Sequence, residues 1–363
     1  MAGGAEAAAG TRSPLLTMTQ TTPTALWNDS ADPTELSTAI SWGAVGATCN
    51  PVIALAAIRA DQERWESRIH ELAAQLRHAT ESEIGWKVVE EVSLEAARLL
   101  EPAFEEHRGR NGRLSMQTDP RLRRSARALA DQAQYFASLA PNIIVKIPAT
   151  ATGIEAIEDA TYRGVNVNVT VSFSVPQALT AGEAIERGLR RREAEGHDVS
   201  SMGPVVTIMV GRLDDWLKEV VAREGVDIDP DHLEWAGIAA VKRSYEIFGE
   251  RGLRARVLAA AYRNQLQWTE LVGGDLVLSP PFAWQQKFQA SGIEPTSRID
   301  VPVEPEVLAS LERLEDFRRA YEPDGMTPEE FDSFGATRRT LRQFLAADEE
   351  LDQLVRDVIT PAP

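Results

Sequence analysis

Cysteine and histidine are scarce in this chain, and their scarcity argues against several kinds of site. Cys49 is the only cysteine, so no disulfide can form within the chain, and a reducing compartment such as the cytoplasm is favoured. The five histidines are scattered, and none has the spacing of a zinc site. These counts give no support to a metal centre or to a Cys–His dyad.

Basic residues are too few to balance the acidic ones. The chain has 38 Lys and Arg against 55 Asp and Glu, which gives a formal net charge of −17. Nucleic acids and anionic membranes carry the same sign, so we expect no general binding to either. A local cationic pocket for a small phosphorylated ligand is compatible with this charge.

A membrane span and a secretory leader are not expected either. Residues 36–58 carry no charge and are long enough to resemble a span, but serine, threonine, asparagine and proline interrupt them. A buried helix, a strand and a second helix explain this stretch better. Residues 1–24 lack the basic start and long apolar core of a signal peptide, and we expect a disordered tail there.

Apolar, strand-like runs alternate with amphipathic helical patterns from Leu26 onward, and this alternation predicts the fold. Strands are predicted at residues 26–29, 44–50, 113–117, 143–148, 165–173, 205–210, 257–262 and 276–279. Eight β-α repeats predict a parallel sheet with helices outside, and eight strands close a (β/α)8 TIM barrel. An open doubly wound sheet is the alternative, although the first strand lacks a GxGxxG motif and no Walker loop occurs.

The chain is expected to divide into a barrel and an extension. We expect residues 25–300 to form the catalytic barrel. Residues 301–363 are acidic and helical, and we expect them to pack on the barrel as a C-terminal extension.

Polar residues at the carboxyl ends of the predicted strands are the candidates for a site, because chemistry in a TIM barrel occurs at that end. In chain order they are Asp29, Thr48, Asn50, Gln117, Lys146, Asn168, Thr170, Thr207, Arg212 and Arg263. Periodicity permits these side chains to converge on one point but does not require it.

Lys146 stands out because it interrupts the apolar run IIVKIP, which is typical of a fully buried strand. Burial lowers the pKa of a lysine, and a neutral amine can attack a carbonyl to form a Schiff base. The plainer alternative is a lysine that pairs with a carboxylate inside the barrel or extends to its rim. The run by itself favours that alternative.

Several segments together resemble the transaldolase family. The resemblance is carried by VKIPAT and GVNVNVTVSFS, with LWNDSAD, GAVGATCNP, VGRLDDW and AAYRN, in register across eight strands over residues 25–290. It implies a (β/α) barrel and a transferase of the pentose phosphate pathway in carbohydrate metabolism. Such enzymes move a dihydroxyacetone unit from a ketose phosphate, such as sedoheptulose 7-phosphate or fructose 6-phosphate, to an aldose phosphate. The resemblance implies no metal ion and no organic cofactor.

The resemblance also implies roles for individual residues. Lys146 matches the lysine that forms the Schiff base, and Asp29 matches the aspartate that acts as general acid–base on the sugar hydroxyl. Thr170 matches the threonine that orients the catalytic water.

Four further positions match substrate-binding residues of the family. Asn50 and Asn168 match the asparagines that hold the dihydroxyacetone unit, and Arg212 and Arg263 match the arginine pair that grips the phosphate. Two guanidiniums can bind a phosphate even in a chain of net charge −17.

Each of these assignments has a structural alternative. Asp29 can be a helix N-cap, Asn50 before Pro51 can be a turn residue, and Arg212 can pair with Asp214 or Asp215.

Four residues depart from the family pattern. Gln117 replaces a glutamate that works with the catalytic water, and an amide can position a water but cannot transfer protons as a carboxylate does. The related fructose-6-phosphate aldolases also carry glutamine there, but they use a strand-6 tyrosine where this chain has Met209. Ala261 replaces a serine that helps to hold the phosphate, and Thr207 replaces a strand-6 serine.

These departures leave other functions open. One is direct aldol cleavage that releases free dihydroxyacetone, and another is transfer from an unusual sugar such as a sulfonated one. A third is a barrel that binds a ligand without catalysis. The sequence does not fix the oligomeric state, so a homodimer is also open.

Overall fold

The strands close into a barrel. The computed structural model describes residues 13–362, in which eight parallel strands pair in chain order and the last pairs with the first. They are β1 (Ala25–Asn28), β2 (Ala44–Thr48), β3 (Arg113–Gln117), β4 (Ile143–Pro148), β5 (Val167–Thr170), β6 (Val205–Met209), β7 (Arg256–Ala260) and β8 (Val277–Ser279). The predicted (β/α)8 TIM barrel is confirmed, and the open doubly wound sheet is excluded.

Helices follow the strands, and further helices precede and extend the barrel. Within residues 13–362 the α-helices are α1 (Pro14–Thr21), α2 (Pro33–Ser41), α3 (Pro51–Ala60), α4 (Gln62–Gln75), α5 (Glu81–Glu106), α6 (Ala126–Ala137), α7 (Ala151–Tyr162), α8 (Val175–Ala194), α9 (Val210–Glu224), α10 (Pro230–Leu233), α11 (Ala236–Arg251), α12 (Leu266–Thr269), α13 (Phe282–Ala290), α14 (Pro305–Leu311), α15 (Glu315–Tyr321) and α16 (Gly335–Ile359). Two 3-10 helices cover Pro120–Leu122 and Pro328–Ser333.

The predicted strand boundaries hold best where no backbone irregularity follows the strand. β3 and β4 have the predicted bounds, whereas β5 is shorter than the predicted 165–173. Val171 has a φ of 50°, which an extended ladder cannot accommodate, so pairing stops at Thr170. β2 ends at Thr48 because Asn50 caps the next helix.

The uncharged stretch 36–58 forms part of α2, all of β2 and most of α3, as predicted. No helix within residues 13–362 is long and apolar enough to cross a membrane.

Part of the predicted disordered tail is ordered, which corrects that prediction. Residues 14–21 form α1, with Leu15 and Met18 fully buried one turn apart. The Ser13 hydroxyl accepts a hydrogen bond from Leu16 N at 3.1 Å, and Pro14 occupies the first helical position. Serine as the N-cap followed by proline at the first helical position is a recognisable helix start even in a polar sequence. Residues 1–12 of the predicted tail lie outside the described residues.

The C-terminal extension packs on the barrel through α16. This helix lies against α3, α4 and α5 and reaches the 3-10 helix that follows β3. At that contact Arg121 forms ion pairs with Asp348 at 2.7 Å and with Asp352 at 3.1 Å. The end of α16 is therefore held near the carboxyl ends of the strands.

The barrel interior has an apolar lower layer. It is a small buried cluster, separate from the large core between strands and helices, formed by Ala25, Trp27, Ile144, Val205, Leu258, Ala260 and Val277. On β4, Ile144 and Lys146 point to the same face because side chains alternate along a strand. Lys146 therefore lies above an apolar floor.

Gly112 fixes the start of β3, and we predict that Gly112→Ala destabilises the barrel strongly. Gly112 has a φ of 74°, and an added Cβ would lie 1.9 Å from the backbone nitrogen of Phe104 in α5. Left-handed strain and overpacking together should lower the free energy of unfolding by about 3 kcal/mol. Urea unfolding followed by circular dichroism measures this loss.

Gly225→Ala is the matched control, because Gly225 has a similar φ of 66° but no atom within 4 Å of an added Cβ. It should lower the free energy of unfolding by only about 1 kcal/mol. Equal losses at the two positions would contradict the steric argument at Gly112.

Candidate active site

Lys146 is buried inside the barrel without an acidic partner. It is 6% exposed, and among residues 13–362 no carboxylate oxygen lies within 4.0 Å of its amine. Burial lowers its pKa, while the more distant charge of Asp29 acts in the opposite direction. The alternative of a lysine paired with a carboxylate or extended to solvent is therefore wrong. A buried, unpaired amine that can lose its proton is what nucleophilic attack on a carbonyl requires.

The two strands beside β4 place amides next to Lys146. In the sheet register Gln117 of β3 and Asn168 of β5 are the direct neighbours of Lys146. Gln117 is 6% exposed, and its side-chain oxygen is buried without a hydrogen-bond partner in the described part of the chain. That free acceptor beside the amine is suited to hold a water or a substrate hydroxyl.

Asn168 belongs to a hydrogen-bonded chain across the barrel. Its Nδ2 donates to the Ser115 hydroxyl at 2.9 Å, and its Oδ1 accepts from the Thr207 hydroxyl at 2.7 Å. These bonds fix the orientation of the amide and leave one N–H and one lone pair for another partner. Thr207 thus orients Asn168 in this structure. Ser115, the other hydrogen-bond partner of the Asn168 side chain, was not among the predicted residues.

Asp29 follows β1 and faces Lys146. Its carboxylate accepts a hydrogen bond from the Thr48 hydroxyl, and its charge acts on both Lys146 and Arg212. The N-cap of α2 is Asp32, so the alternative that Asp29 caps this helix is wrong. The carboxylate remains available to exchange a proton with a group bound at the amine.

Asn50 combines a structural contact with a position at the site. Its Oδ1 accepts a hydrogen bond from Ile53 N at 3.0 Å and caps α3, as the turn-residue alternative anticipates. The Nδ2 group of Asn50 makes no hydrogen bond within residues 13–362, so it can still donate hydrogen bonds to a ligand while Oδ1 caps the helix.

Thr170 lies where the backbone leaves β5 in a strained conformation. It is 2% exposed and shares the inward face with Asn168, and the next residue, Val171, has a φ of 50°. Gln177 donates hydrogen bonds to the carbonyls of Val171 and Ala149, at 3.1 and 3.0 Å, which holds this turn in place. Such strain is concentrated at functional sites.

Cys49 is near Lys146 but is not suited to be a nucleophile. It is 1% exposed, and burial raises the pKa of its thiol to about 11, although the Lys146 charge acts in the opposite direction. A thiolate is therefore scarce at neutral pH.

Arg212 is the third residue of α9 and lies in its first turn, just after the carboxyl end of β6. It donates hydrogen bonds to the Thr340 hydroxyl at 3.2 Å and to the side-chain oxygen of Gln343, both on α16. Burial, and then the charge of Arg263, lower the pKa of Arg212 to about 10, so it stays charged at neutral pH. Its Nε is buried and has no partner in the described residues. A free guanidinium edge at a helix N-terminus favours an anion.

Arg263 lies beside Arg212 because two backbones approach closely. A Cβ on Gly211 would lie 2.3 Å from the Ala261 carbonyl oxygen and 2.4 Å from Arg263 Cγ, so only glycine permits this contact. Arg263 donates to Asp215 at 3.0 Å and to the Ala261 carbonyl at 3.1 Å. Asp215 therefore pairs with Arg263 and not with Arg212.

Asp214 supports the backbone of this region instead of pairing with Arg212. It accepts hydrogen bonds from Gly237 N at 2.8 Å and from Gln267 Nε2, and the Gln267 oxygen in turn accepts from Arg263 N at 2.6 Å. Burial raises the pKa of Asp214 to about 8. Both acidic partners proposed for Arg212 are thus occupied elsewhere.

Two substituted positions leave apolar groups at the mouth. Ala261 has a φ of 62° at the end of β7 and supplies no hydroxyl. Met209 is 6% exposed and lies two residues beyond Thr207 on β6, so it shares the inward face.

The contacts of α16 with Arg212 were not predicted. Thr340 and Gln343 bind the guanidinium, and the Phe344 ring lies 5.6 Å below it. The available signal was the buried stripe Thr337, Thr340 and Phe344 at helical spacing, which marks the face that α16 turns to the barrel.

No group of three or more histidine, cysteine, aspartate or glutamate side chains that could hold a metal ion occurs within residues 13–362.

Known proteins with similar sequences agree with the resemblance. "Transaldolase 1" of Streptomyces avermitilis is 34% identical over 222 residues, which is 60% of this chain and 58% of the relative. "Transaldolase" of Thiobacillus denitrificans is 35% identical over 170 residues, 46% of this chain and 47% of the relative. "Transaldolase" of Kocuria rhizophila is 32% identical over 206 residues, 56% and 55%. The chain thus spans about half the length of the curated relatives it matches.

A family-wide comparison covers more of the chain. Residues 26–333 match the family described as Transaldolase/Fructose-6-phosphate aldolase, a span from the second residue of β1 to the end of the second 3-10 helix. The match includes all ten candidate site residues. The chain therefore belongs to the transaldolase/fructose-6-phosphate aldolase family.

Proposed function

We propose that this protein is a transaldolase that works through a Schiff base on Lys146. In this proposal a ketose phosphate such as sedoheptulose 7-phosphate or fructose 6-phosphate donates a dihydroxyacetone unit to an aldose phosphate. The observation that carries the proposal is a lysine 6% exposed, without a carboxylate partner among residues 13–362, in a barrel that also holds two arginines and the Asp29 carboxylate. Asp29 accepts a hydrogen bond from Thr48 and forms no ion pair within the described residues.

The first step uses the amine. Lys146 Nζ attacks the ketone carbon of the donor, water leaves, and the protonated imine forms. Asp29 then takes the proton of the C4 hydroxyl, the C3–C4 bond breaks, and its electrons move into the imine to give an enamine. The leaving group is an aldose phosphate. The Lys146 environment supports this step because a site that favours the neutral amine makes the lysine nucleophilic.

The second step reverses the first with a new aldehyde. The enamine carbon attacks the acceptor carbonyl, and the resulting alkoxide takes its proton from Asp29. Water then hydrolyses the imine and regenerates the amine. Asn50 and Asn168 are proposed to hold the hydroxyls of the three-carbon unit, and Thr170 to orient the water.

The phosphate of the sugar is proposed to bind Arg212 and Arg263. Burial, and then the charge of Arg263, lowers the pKa of Arg212, and a dianion between the two guanidiniums would relieve their repulsion. The N-terminus of α9 adds a favourable dipole at the same place.

Direct aldol cleavage is the second candidate, and Gln117 is the observation that favours it. Gln117 cannot act as a general base toward water, so Asp29 is the carboxylate that remains for proton transfer in the proposed mechanism. The unpartnered amide oxygen can still hold a water, and the same arrangement serves an enamine that is protonated and released as dihydroxyacetone. An unusual donor, such as a sulfonated sugar, would meet the same arginine pair.

The proposal also covers cofactors, localisation and oligomeric state. The proposed route needs no metal ion and no organic cofactor, because the imine nitrogen itself accepts the electrons. Cytoplasmic localisation is proposed from the single cysteine and the sugar phosphate substrates. A homodimer remains an open proposal.

Lys146→Ala should abolish both turnover and covalent trapping. Borohydride reduction in the presence of fructose 6-phosphate should add one donor-derived mass to the wild-type chain, located on Lys146 by peptide mass spectrometry. The trapping rate should have its pH midpoint below 10.5, because burial lowers the pKa of this amine.

Lys242→Met is the matched control for this experiment. Lys242 is the other lysine in the described residues that is more than nine-tenths buried. Trapping should persist in this variant. Trapping that survives Lys146→Ala would rule out an imine on Lys146. Absence of turnover by the wild-type chain would instead favour a non-catalytic barrel.

Arg212→Gln should selectively weaken the binding of phosphorylated donors. Loss of a charged hydrogen bond to phosphate should raise KM for fructose 6-phosphate by about tenfold or more, whereas turnover of unphosphorylated fructose should change little. Steady-state kinetics with both donors measures the difference. Arg187→Gln on α8, where the arginine pairs with Glu158 on the surface, is the control and should change neither. An equal loss for both donors would exclude a phosphate contact.

Gln117→Glu should separate transfer from direct cleavage. For the wild-type chain, product analysis with fructose 6-phosphate should show turnover only when an acceptor aldehyde such as erythrose 4-phosphate is present.

The carboxylate that Gln117→Glu adds should raise kcat for transfer by about tenfold, because it can act as a general base toward water. Gln132→Glu, which adds the same charge on α6, is the control. Wild-type release of dihydroxyacetone without acceptor would favour the aldolase reaction.

A further inference from the structure

A cavity lies at the other end of the barrel from Lys146. Its volume is about 720 Å³, and it lies between α11, the start of β7, and the segment that leads into α14. Arg256, the first residue of β7, lines it, whereas Lys146 lies near the carboxyl end of β4. The size is that of a small-molecule pocket.

Most charged side chains that line this cavity already have a partner. Lys242 is 9% exposed and donates to the carbonyls of Arg298 and Val301, at 2.7 and 2.6 Å, beside Glu270 at 3.4 Å. Three lining arginines are satisfied by carboxylates in the pairs Arg110–Asp275, Arg243–Glu246 and Arg254–Glu186.

Among the basic residues that line the cavity, Arg256 is the one without an acidic partner; the acidic residues Glu250 and Asp300, on the same wall, form no ion pair within residues 13–362. Arg256 is 7% exposed, and no carboxylate of the described chain lies within 4.0 Å of its guanidinium. Its Nη2 donates to the Arg110 carbonyl at 2.9 Å and to Asn111 Oδ1 at 3.0 Å, while Nε and Nη1 make no hydrogen bond among residues 13–362. Buried charges are ordinarily paired with an opposite charge, so this guanidinium lacks its usual complement.

A second buried arginine increases the local positive charge. Arg113, the first residue of β3, is 2% exposed, bonds only to the Gly109 and Ser201 carbonyls, and leaves Nη1 buried without a partner in the described chain. Burial, and then the charge of Arg256, lowers the pKa of Arg113 to about 10. Two adjacent cations without carboxylate partners occur here in a chain of net charge −17.

We propose that this cavity binds a small organic anion whose carboxylate or phosphate group accepts hydrogen bonds from Arg256. The body of the ligand is apolar, because the remaining wall includes Phe248, Leu253, Val303 and Leu308. Neither feature suffices alone: the arginine supplies orientation and charge, and the apolar wall supplies the buried area. The site is independent of the sugar phosphate site at the opposite end.

Isothermal titration calorimetry of the full chain with hexyl phosphate tests the proposal. Hexanol has the same body without charge, and inorganic phosphate has the charge without the body. We expect hexyl phosphate to bind at least about tenfold more tightly than either. To exclude binding at the opposite mouth, the titration is repeated on Arg212→Gln, in which the affinity should be unchanged.

Variants of the cavity complete the test. Arg256→Met should lower the affinity for hexyl phosphate by about tenfold, as expected for a lost charged hydrogen bond. Arg256→Lys should lower this affinity less. Leu253→Trp, which narrows the apolar part of the cavity and leaves the arginine in place, should weaken the binding of hexyl phosphate. If Arg256→Met does not fold, the lysine and tryptophan variants decide the question.

Three results would overturn the proposal. They are equal affinity for hexyl phosphate and hexanol, unchanged affinity in both Arg256→Lys and Leu253→Trp, and loss of binding in Arg212→Gln. The last result would assign the anion to the sugar phosphate site.

Discussion

The site depends on keeping one lysine buried without a carboxylate against it. An ammonium group inside a protein is costly unless it is paired, and the usual solution is a neighbouring acid. The barrel avoids that solution: it surrounds Lys146 with amides and hydroxyls and places Asp29 close enough to act through its charge but outside ion-pair distance. The lysine can then lose its proton more readily than an exposed lysine, because burial lowers its pKa.

This arrangement requires that neighbouring strands do not slip. Gln117 and Asn168 are beside Lys146 only because β3, β4 and β5 pair in one register. If one of these strands shifted by one residue, its site residue would turn from the barrel interior toward the helices. The hydrogen bonds of Asn168 to Ser115 and Thr207 tie β3, β5 and β6 together at that level. The same side chains therefore stabilise the barrel and define the site.

The sequence predicted the parts of the site that depend on strand periodicity. Asn168 and Thr170 were placed on one face because side chains alternate along a strand, and Lys146 was singled out because it interrupts an apolar run. Asp29 could not be separated from an N-cap by pattern, since Asp29 and Asp32 precede the same helix, and only the structure shows that Asp32 is the cap. The periodicity of a strand indicates which face of the sheet a side chain occupies. It indicates neither the distance to another side chain nor the hydrogen-bond partner.

The largest omission is the coupling of Arg212 to α16. Arg212 and Thr340 are 128 residues apart, and no local pattern in either segment names the other. Helix α16 contacts the barrel through a buried stripe, and it is also held by Arg121 through Asp348 and Asp352. A change in the docking of this helix would therefore alter the orientation of a guanidinium at the barrel mouth, so the extension and the site form one physical unit.

Buried cations occur at both ends of the barrel, and the chemistry of the side chain decides what each can do. A lysine can lose its proton, so Lys146 tolerates burial without a carboxylate against it. An arginine stays charged even where burial lowers its pKa to about 10, as at Arg256. Carbonyl and amide dipoles reduce the cost of that charge only in part, and an anion in the adjacent cavity would reduce it further. The unpaired lysine thus suits covalent chemistry, whereas the unpaired arginine suits reversible binding.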